Sequence, residues 1–161
     1  TNLREMVHVL RERLGTGAIV TTATGYALGN VVSDAEAFLK TGDTSLWRGV
    51  YLEGVVFEQQ GTVAESLYLL LYTKAQEVLG TQPKEASRVA RMLLESDPYN
   101  HDYLTLCLQA LRESNNHKSL ARLYTEAKER FVEVGEQLPE SWQKFLEIDD
   151  QLPAQRSEFL G

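Results

Sequence analysis

A 34-residue period in the second half of the chain restricts the fold more than any other feature of the sequence. Residues 84–93 and 118–127 each open on a lysine and carry an arginine at the fifth place. Apolar residues occupy the third, sixth, seventh and tenth places of both segments, which puts them on one face of a helix. Asp97-Pro98, between the segments, is typical of a loop that leads into a helix. The period therefore predicts two stacked helix–turn–helix units of equal length.

The predicted helices continue on both sides of this repeat. Apolar stripes such as Leu67, Leu70/Leu71 and Ala75 favour helices over residues 57–79, 84–96, 100–114, 117–134 and 139–149. Ser33 and Glu36 have the spacing of a capping box, so a short helix is expected to begin after Ser33. A helix–turn–helix period of this length is that of tetratricopeptide repeats. We expect a mainly α fold, a tetratricopeptide-like helical bundle from about residue 33 to residue 150.

The first 30 residues differ from the rest in charge and in secondary-structure formers. They hold three arginines and two glutamates, whereas residues 31–161 hold 13 basic and 21 acidic side chains. Apolar spacing predicts a helix over 2–14, and β-branched residues on both sides of a Thr-Gly turn predict a hairpin. So small a unit buries little surface. We therefore expect three parts: residues 1–30, a helical domain at 31–150 and a tail at 151–161.

Composition excludes several classes of protein. The chain has 161 residues, is 43% hydrophobic and carries a net charge of −7, so a protein that mainly coats nucleic acid or an anionic membrane is not expected. The longest apolar run, residues 67–72, is far shorter than the ~20 residues of a membrane-spanning helix. The chain has a single cysteine and no secretory leader pattern, which favours a cytoplasmic protein without a membrane role.

The sequence contains no recognisable catalytic or metal-binding pattern. The three histidines, His8, His101 and His117, lack partners at metal-ligand spacing. Cys107 shares an apolar face with Leu104, which indicates a buried structural thiol. We predict a protein that is not an enzyme and that uses no metal or other cofactor.

The N-terminal unit resembles the end of a winged-helix DNA-binding domain. The resemblance is carried by Leu3-x3-Val7-x2-Leu10-Arg11-x2-Leu14-Gly15, by Ile19-Val20-Thr21 and by Gly25-Tyr26-x-Leu28. It is closest to the winged helices of response regulators and of the antibiotic regulatory proteins of Streptomyces. The resemblance implies that the helix is the recognition helix and that the hairpin is the wing. It also implies that two helices and further strands precede residue 1.

The helical part resembles the bacterial transcriptional activator domain that follows the winged helix in the antibiotic regulatory protein family. The most specific stretch is Leu46-Trp47-Arg48-Gly49-x-Tyr51-Leu52-x-Gly54. Further landmarks follow in order at Asp97-Pro98-Tyr99, Leu104-x6-Leu111, Leu120-x3-Tyr124 and Gly135-x2-Leu138-Pro139. After Asp97-Pro98, where members often carry an acidic residue, Asn100 is neutral. The resemblance implies a fragment of a DNA-binding regulator whose tetratricopeptide-like domain contacts other proteins or itself.

Two sets of residues are candidate binding sites. If Leu3, Val7, Leu10 and Leu14 face inward, then Arg4, His8 and Arg11 lie on the outer side of the first helix, where the resemblance implies contact with DNA.

Arg88 and Arg122, which occupy equivalent positions in the repeat, either bind an acidic partner peptide or belong to solvated helix faces.

Trp47, Tyr51 and Trp142 either line a ligand pocket or fill gaps between helices, and we expect Trp47 to be a buried anchor. The alternative function is a stand-alone tetratricopeptide-type scaffold that binds a partner protein and has no role with DNA.

Overall fold

The computed structural model describes residues 2–29, 31–51 and 60–148 and is mainly helical, with one small antiparallel hairpin. In chain order the elements are α1 Leu3–Leu14, β1 Ile19–Thr22, β2 Gly25–Leu28, α2 Asp34–Thr41, a 3₁₀ turn Thr44–Leu46, α3 Gln60–Val78, α4 Pro83–Ser96, α5 His101–Glu113, α6 His117–Glu133 and α7 at 142–148. The predicted fold class is confirmed.

The N-terminal unit is a capped helix beside a two-stranded hairpin. The Asn2 side chain accepts the Arg4 N–H, and the Glu5 carboxylate accepts the Asn2 N–H, so α1 begins with a complete capping box. β1 and β2 pair in antiparallel register from Ile19 opposite Leu28 to Thr22 opposite Gly25. Both elements predicted for this segment are therefore present.

Helices α4 and α6 follow the predicted period. α4 and α6 begin at Pro83 and His117, 34 residues apart. Their equivalent apolar positions are all buried: Ala86 and Leu120, Val89 and Leu123, Ala90 and Tyr124, Leu93 and Ala127. α5 packs on α3, α4 and α6, so its apolar side chains form the middle of the core.

The C-terminal end of the bundle is closed by aromatic contacts. Phe131 of α6 is fully buried, and its ring centroid lies 5.0 Å from that of His101 at the start of α5. The His101 ring also stacks on the Phe145 ring of α7, with 5.8 Å between their centroids. The hydroxyl of Tyr124 donates to the Pro139 carbonyl at 2.7 Å, which holds the chain between α6 and α7 against α6.

Trp47 is half-buried, which corrects the prediction of a buried anchor. Its ring makes edge contacts with Phe38 of α2 at 6.2 Å and with Tyr68 of α3 at 5.7 Å. Phe38 takes the fully buried position instead. Trp47 lies at the end of the 3₁₀ turn, outside the helices, and packs against the core from its edge. Tyr51 and Trp142 are also half-buried and pack against the core.

The Trp47→Ala variant should lose about 2 kcal/mol of stability, below the ~3–5 kcal/mol of a fully buried ring, because part of the indole is already in water. Urea unfolding of the chain measures the loss. Arg48→Ala is the matched control, because its exposed side chain contacts the Asp34 carboxylate and the Ser45 carbonyl at the surface and should change stability by less than about 0.5 kcal/mol. Equal losses in the two variants would contradict a packing role for Trp47.

The remaining helix predictions agree with the structure to within a few residues over the described ranges. Two predicted segments lie outside the described residues: the start of the helix at 57–59 and everything from residue 149, including the tail at 151–161. The end of the motif that begins at Leu46, residues 52–54, lies outside them as well. Across the described ranges, none of the helices combines the length and the apolar character needed to cross a membrane.

Candidate functional site

Arg11 joins α1 to the hairpin, which corrects its predicted position on the outer side of the helix. Its Nε donates to the Ile19 carbonyl at 2.8 Å, and its Nη2 donates to the Thr21 hydroxyl at 3.0 Å. The guanidinium also lies over the Tyr26 ring, 5.7 Å from the centroid. Arg11 follows Val7, the one buried residue of α1, by a single helical turn, so both side chains point toward the hairpin. Its first role is therefore to hold the helix on the hairpin.

Arg4 and His8 lie on exposed parts of α1, as the sequence predicts. The His8 Nε2 lies 3.4 Å from the Glu12 carboxylate, one turn further along the helix. The sequence-predicted set is thus divided: Arg4 and His8 are accessible to a partner, whereas Arg11 is engaged within the unit.

The apolar side chains of α1 are mostly uncovered, contrary to the prediction that all four face a core. Val7 is buried, but Leu3 is 62% exposed and Leu14 is 65% exposed. Leu10 is 41% exposed. The hairpin is too short to cover more than about one turn of the helix, and within residues 2–29 only Ala18 and Ile19 are buried together with Val7.

Arg88 is part of a network within the helical region. Its Nε and Nη2 form a bidentate pair with the Glu85 carboxylate, and Nη2 also donates to the Thr44 hydroxyl at 2.5 Å. The hydrogen bond from Arg88 holds the pKa of Glu85 below its usual value. Because these contacts join the 3₁₀ turn to α4, Arg88 has a structural role that the sequence did not predict.

Arg122, the repeat equivalent of Arg88, makes a looser contact. Its Nε lies 3.6 Å from the Glu126 carboxylate on the same helix, and its side chain is 71% exposed. The structure therefore gives the two arginines different surroundings despite their equivalent positions, because Arg88 faces the 3₁₀ turn and Arg122 faces solvent.

Two cavities lined by aromatic side chains lie along the helical region. The first, of about 280 Å³, lies between α2 and the residues after the 3₁₀ turn and is lined by Phe38, Leu46, Trp47 and Tyr51 among others. The second, of about 370 Å³, is an open groove between α3 and the start of α5, and we call it the α3–α5 groove.

Sequence reasoning missed this groove. Its lining residues are Glu65, Tyr68, Leu69, Tyr72, Asn100, Asp102 and Tyr103. Glu65, Tyr68, Leu69 and Tyr72 stand at i, i+3, i+4 and i+7 on α3. They form a second stripe beside the core stripe of Leu67 and Leu71, and this spacing is the signal from which the groove could have been predicted.

Two further observations concern the reactive side chains among the described residues. Burial raises the pKa of the Cys107 thiol to about 12, so at neutral pH this cysteine is protonated. Within residues 2–29, 31–51 and 60–148, no three His, Cys, Asp or Glu side chains are grouped so that they could hold a metal ion.

Comparison with protein-family models, with curated proteins and with solved structures finds no match to this chain.

Proposed function

We propose that the chain is part of a DNA-binding transcriptional regulator, with α1 as the recognition helix, the β1–β2 hairpin as the wing and the helical region as a module for protein contacts or self-association. The observation that carries the proposal is the Arg11 attachment of α1 to the hairpin, because it fixes a helix and a wing as one unit while Arg4 and His8 remain accessible.

The uncovered apolar side chains of α1 support the same proposal. A recognition helix has one side buried by the other helices of its domain and another side directed at the DNA major groove. Leu3, Leu10 and Leu14 supply side chains for such an apolar contact, and Arg4 supplies a cation for a phosphate or a guanine edge.

A salt titration on duplex DNA tests the proposal. It uses the complete gene product and this chain side by side, with a fluorescent duplex of mixed sequence. In the complete product, Arg4→Ala should weaken binding about fivefold and, if Arg4 contacts a phosphate, flatten the slope of log affinity against log salt by about one unit.

Arg122→Ala is the matched control, because it removes one exposed positive charge from the helical region. It should leave both affinity and slope unchanged. Equal effects of the two substitutions, or no effect of Arg4→Ala, would remove α1 from the DNA interface.

A stand-alone tetratricopeptide-type scaffold is the second candidate function. The equivalent buried positions of α4 and α6 favour it, because stacked units of this kind present extended surfaces to partner proteins. DNA binding that depends on Arg4 distinguishes the regulator from the scaffold. The proposal of a regulator includes a cytoplasmic location with access to DNA, no catalytic activity and no cofactor.

A further inference from the structure

The α3–α5 groove combines exposed apolar surface with three tyrosine rings. Tyr68 and Tyr72 lie one helical turn apart on α3, and the Tyr72 ring centroid lies 6.1 Å from that of Tyr103 on α5. Leu69, between them in sequence, is 67% exposed. Aromatic rings and an exposed leucine on one open groove provide a surface for an extended chain rather than a closed pocket for a small molecule.

The charge at the groove is of one sign. Glu65 and Asp102 line it with exposed carboxylates, and none of its described lining residues carries a positive charge. Burial first, and then the nearby carboxylates of Asp97 and Asp102, raise the pKa of Tyr103, so its hydroxyl stays neutral beside these carboxylates.

We propose that the α3–α5 groove binds a segment of a partner protein that carries arginine beside apolar side chains. The guanidinium group suits this surface better than any other side chain, because it stacks on aromatic faces and pairs with carboxylates at the same time. Tyr68 and Tyr103 supply aromatic surface along the groove, and Glu65 and Asp102 supply the carboxylates. Leu69 provides the apolar contact for a neighbouring residue of the segment.

This inference rests on the proposed function only in that the helical region contacts proteins. It predicts a basic partner at α3 and α5, whereas the sequence suggested an acidic partner at Arg88 and Arg122. The DNA titration on Arg4 and the experiment below use different surfaces and different ligands, so the failure of one is recognisable without the other.

Fluorescence anisotropy with short labelled peptides tests the groove. The probe is a capped peptide of alternating arginine and leucine, with lysine and glutamate versions of the same length. The arginine peptide should bind several-fold more tightly than the lysine peptide, because lysine lacks the planar group that stacks on tyrosine. The double variant Glu65→Gln/Asp102→Asn should weaken its binding about tenfold, and Leu69→Ser, at an exposed position, should weaken it several-fold.

The matched control is Glu129→Gln/Glu133→Gln, which removes two exposed carboxylates of α6 and gives the same net charge. It should change peptide binding by less than twofold. If both double variants weakened binding equally, net charge alone would explain the effect and the proposal would be wrong. Binding of the glutamate peptide as tight as that of the arginine peptide would also overturn it. Sedimentation that shows a dimer lost on Leu69→Ser would assign the groove to a second copy of the chain and overturn it as well.

Discussion

Phe131→Ala is expected to lower the free energy of unfolding by about 4 kcal/mol, the largest loss among the substitutions considered. The ring is fully buried at the meeting of α5 and α6, where it contacts Tyr99 at 5.8 Å and His101 at 5.0 Å between centroids. Truncation removes the transfer free energy of the ring and leaves a cavity that two helices and their side chains only partly close. Urea unfolding at neutral pH measures the difference.

Val132→Ala is the control for this substitution, because the neighbouring valine is 62% exposed on the same helix. Its loss should stay within about 0.5 kcal/mol. A loss under about 1 kcal/mol for Phe131→Ala would show that the end of the bundle is open to water in solution.

Alkaline pH is expected to remove about 4 kcal/mol of stability through Cys107 alone. Burial raises the pKa of the thiol from 9.0 to about 12 in the folded chain. Between these values the unfolded chain has lost the thiol proton while the folded chain retains it, so the free energy of unfolding falls as pH rises, by about 1.4 kcal/mol per pH unit. Below pH 9 this contribution is fully present, and by about pH 10.5 roughly 2 kcal/mol of it should be gone.

The comparison that isolates this effect is Cys107→Ala, which has no thiol to titrate. Tyr124 shifts in the same direction, with its pKa raised to about 12 by burial, so the interval from pH 8 to 10 separates the two groups best. The wild-type chain should lose stability faster than the variant across that interval in denaturant unfolding. Parallel curves would mean that the thiol is accessible to water in the folded state.

The helices of the core could be predicted from the sequence because their signal is local. Apolar spacing gave α4, α5 and α6 to within a few residues, and the equivalence of Ala86 with Leu120 and of Val89 with Leu123 followed from the period alone. Burial of a given side chain depends on which neighbours arrive from elsewhere in the chain. For that reason Phe38 rather than Trp47 occupies the buried position at α2.

The candidate sites were harder to predict from the sequence than the helices, because their contacts come from distant parts of the chain. The spacing of Arg4, His8 and Arg11 was clear, but the hairpin that captures the Arg11 guanidinium folds back from eight residues further on. The repeat equivalence of Arg88 and Arg122 gave no sign of the Thr44 hydroxyl, which approaches Arg88 from 44 residues away. Nor did any one segment of the sequence contain the α3–α5 groove, because its two sides lie on different helices.

The central position of α5 has a consequence for how the helical region assembles. α5 contacts α3, α4 and α6, and each of these also lies close to it in sequence. Chains built from such near-neighbour contacts close short loops first and fold quickly. Assembly can then start at any adjoining pair and spread along the stack. Because α5 lies between α3, α4 and α6, its backbone should be the last part of the described helical region to open.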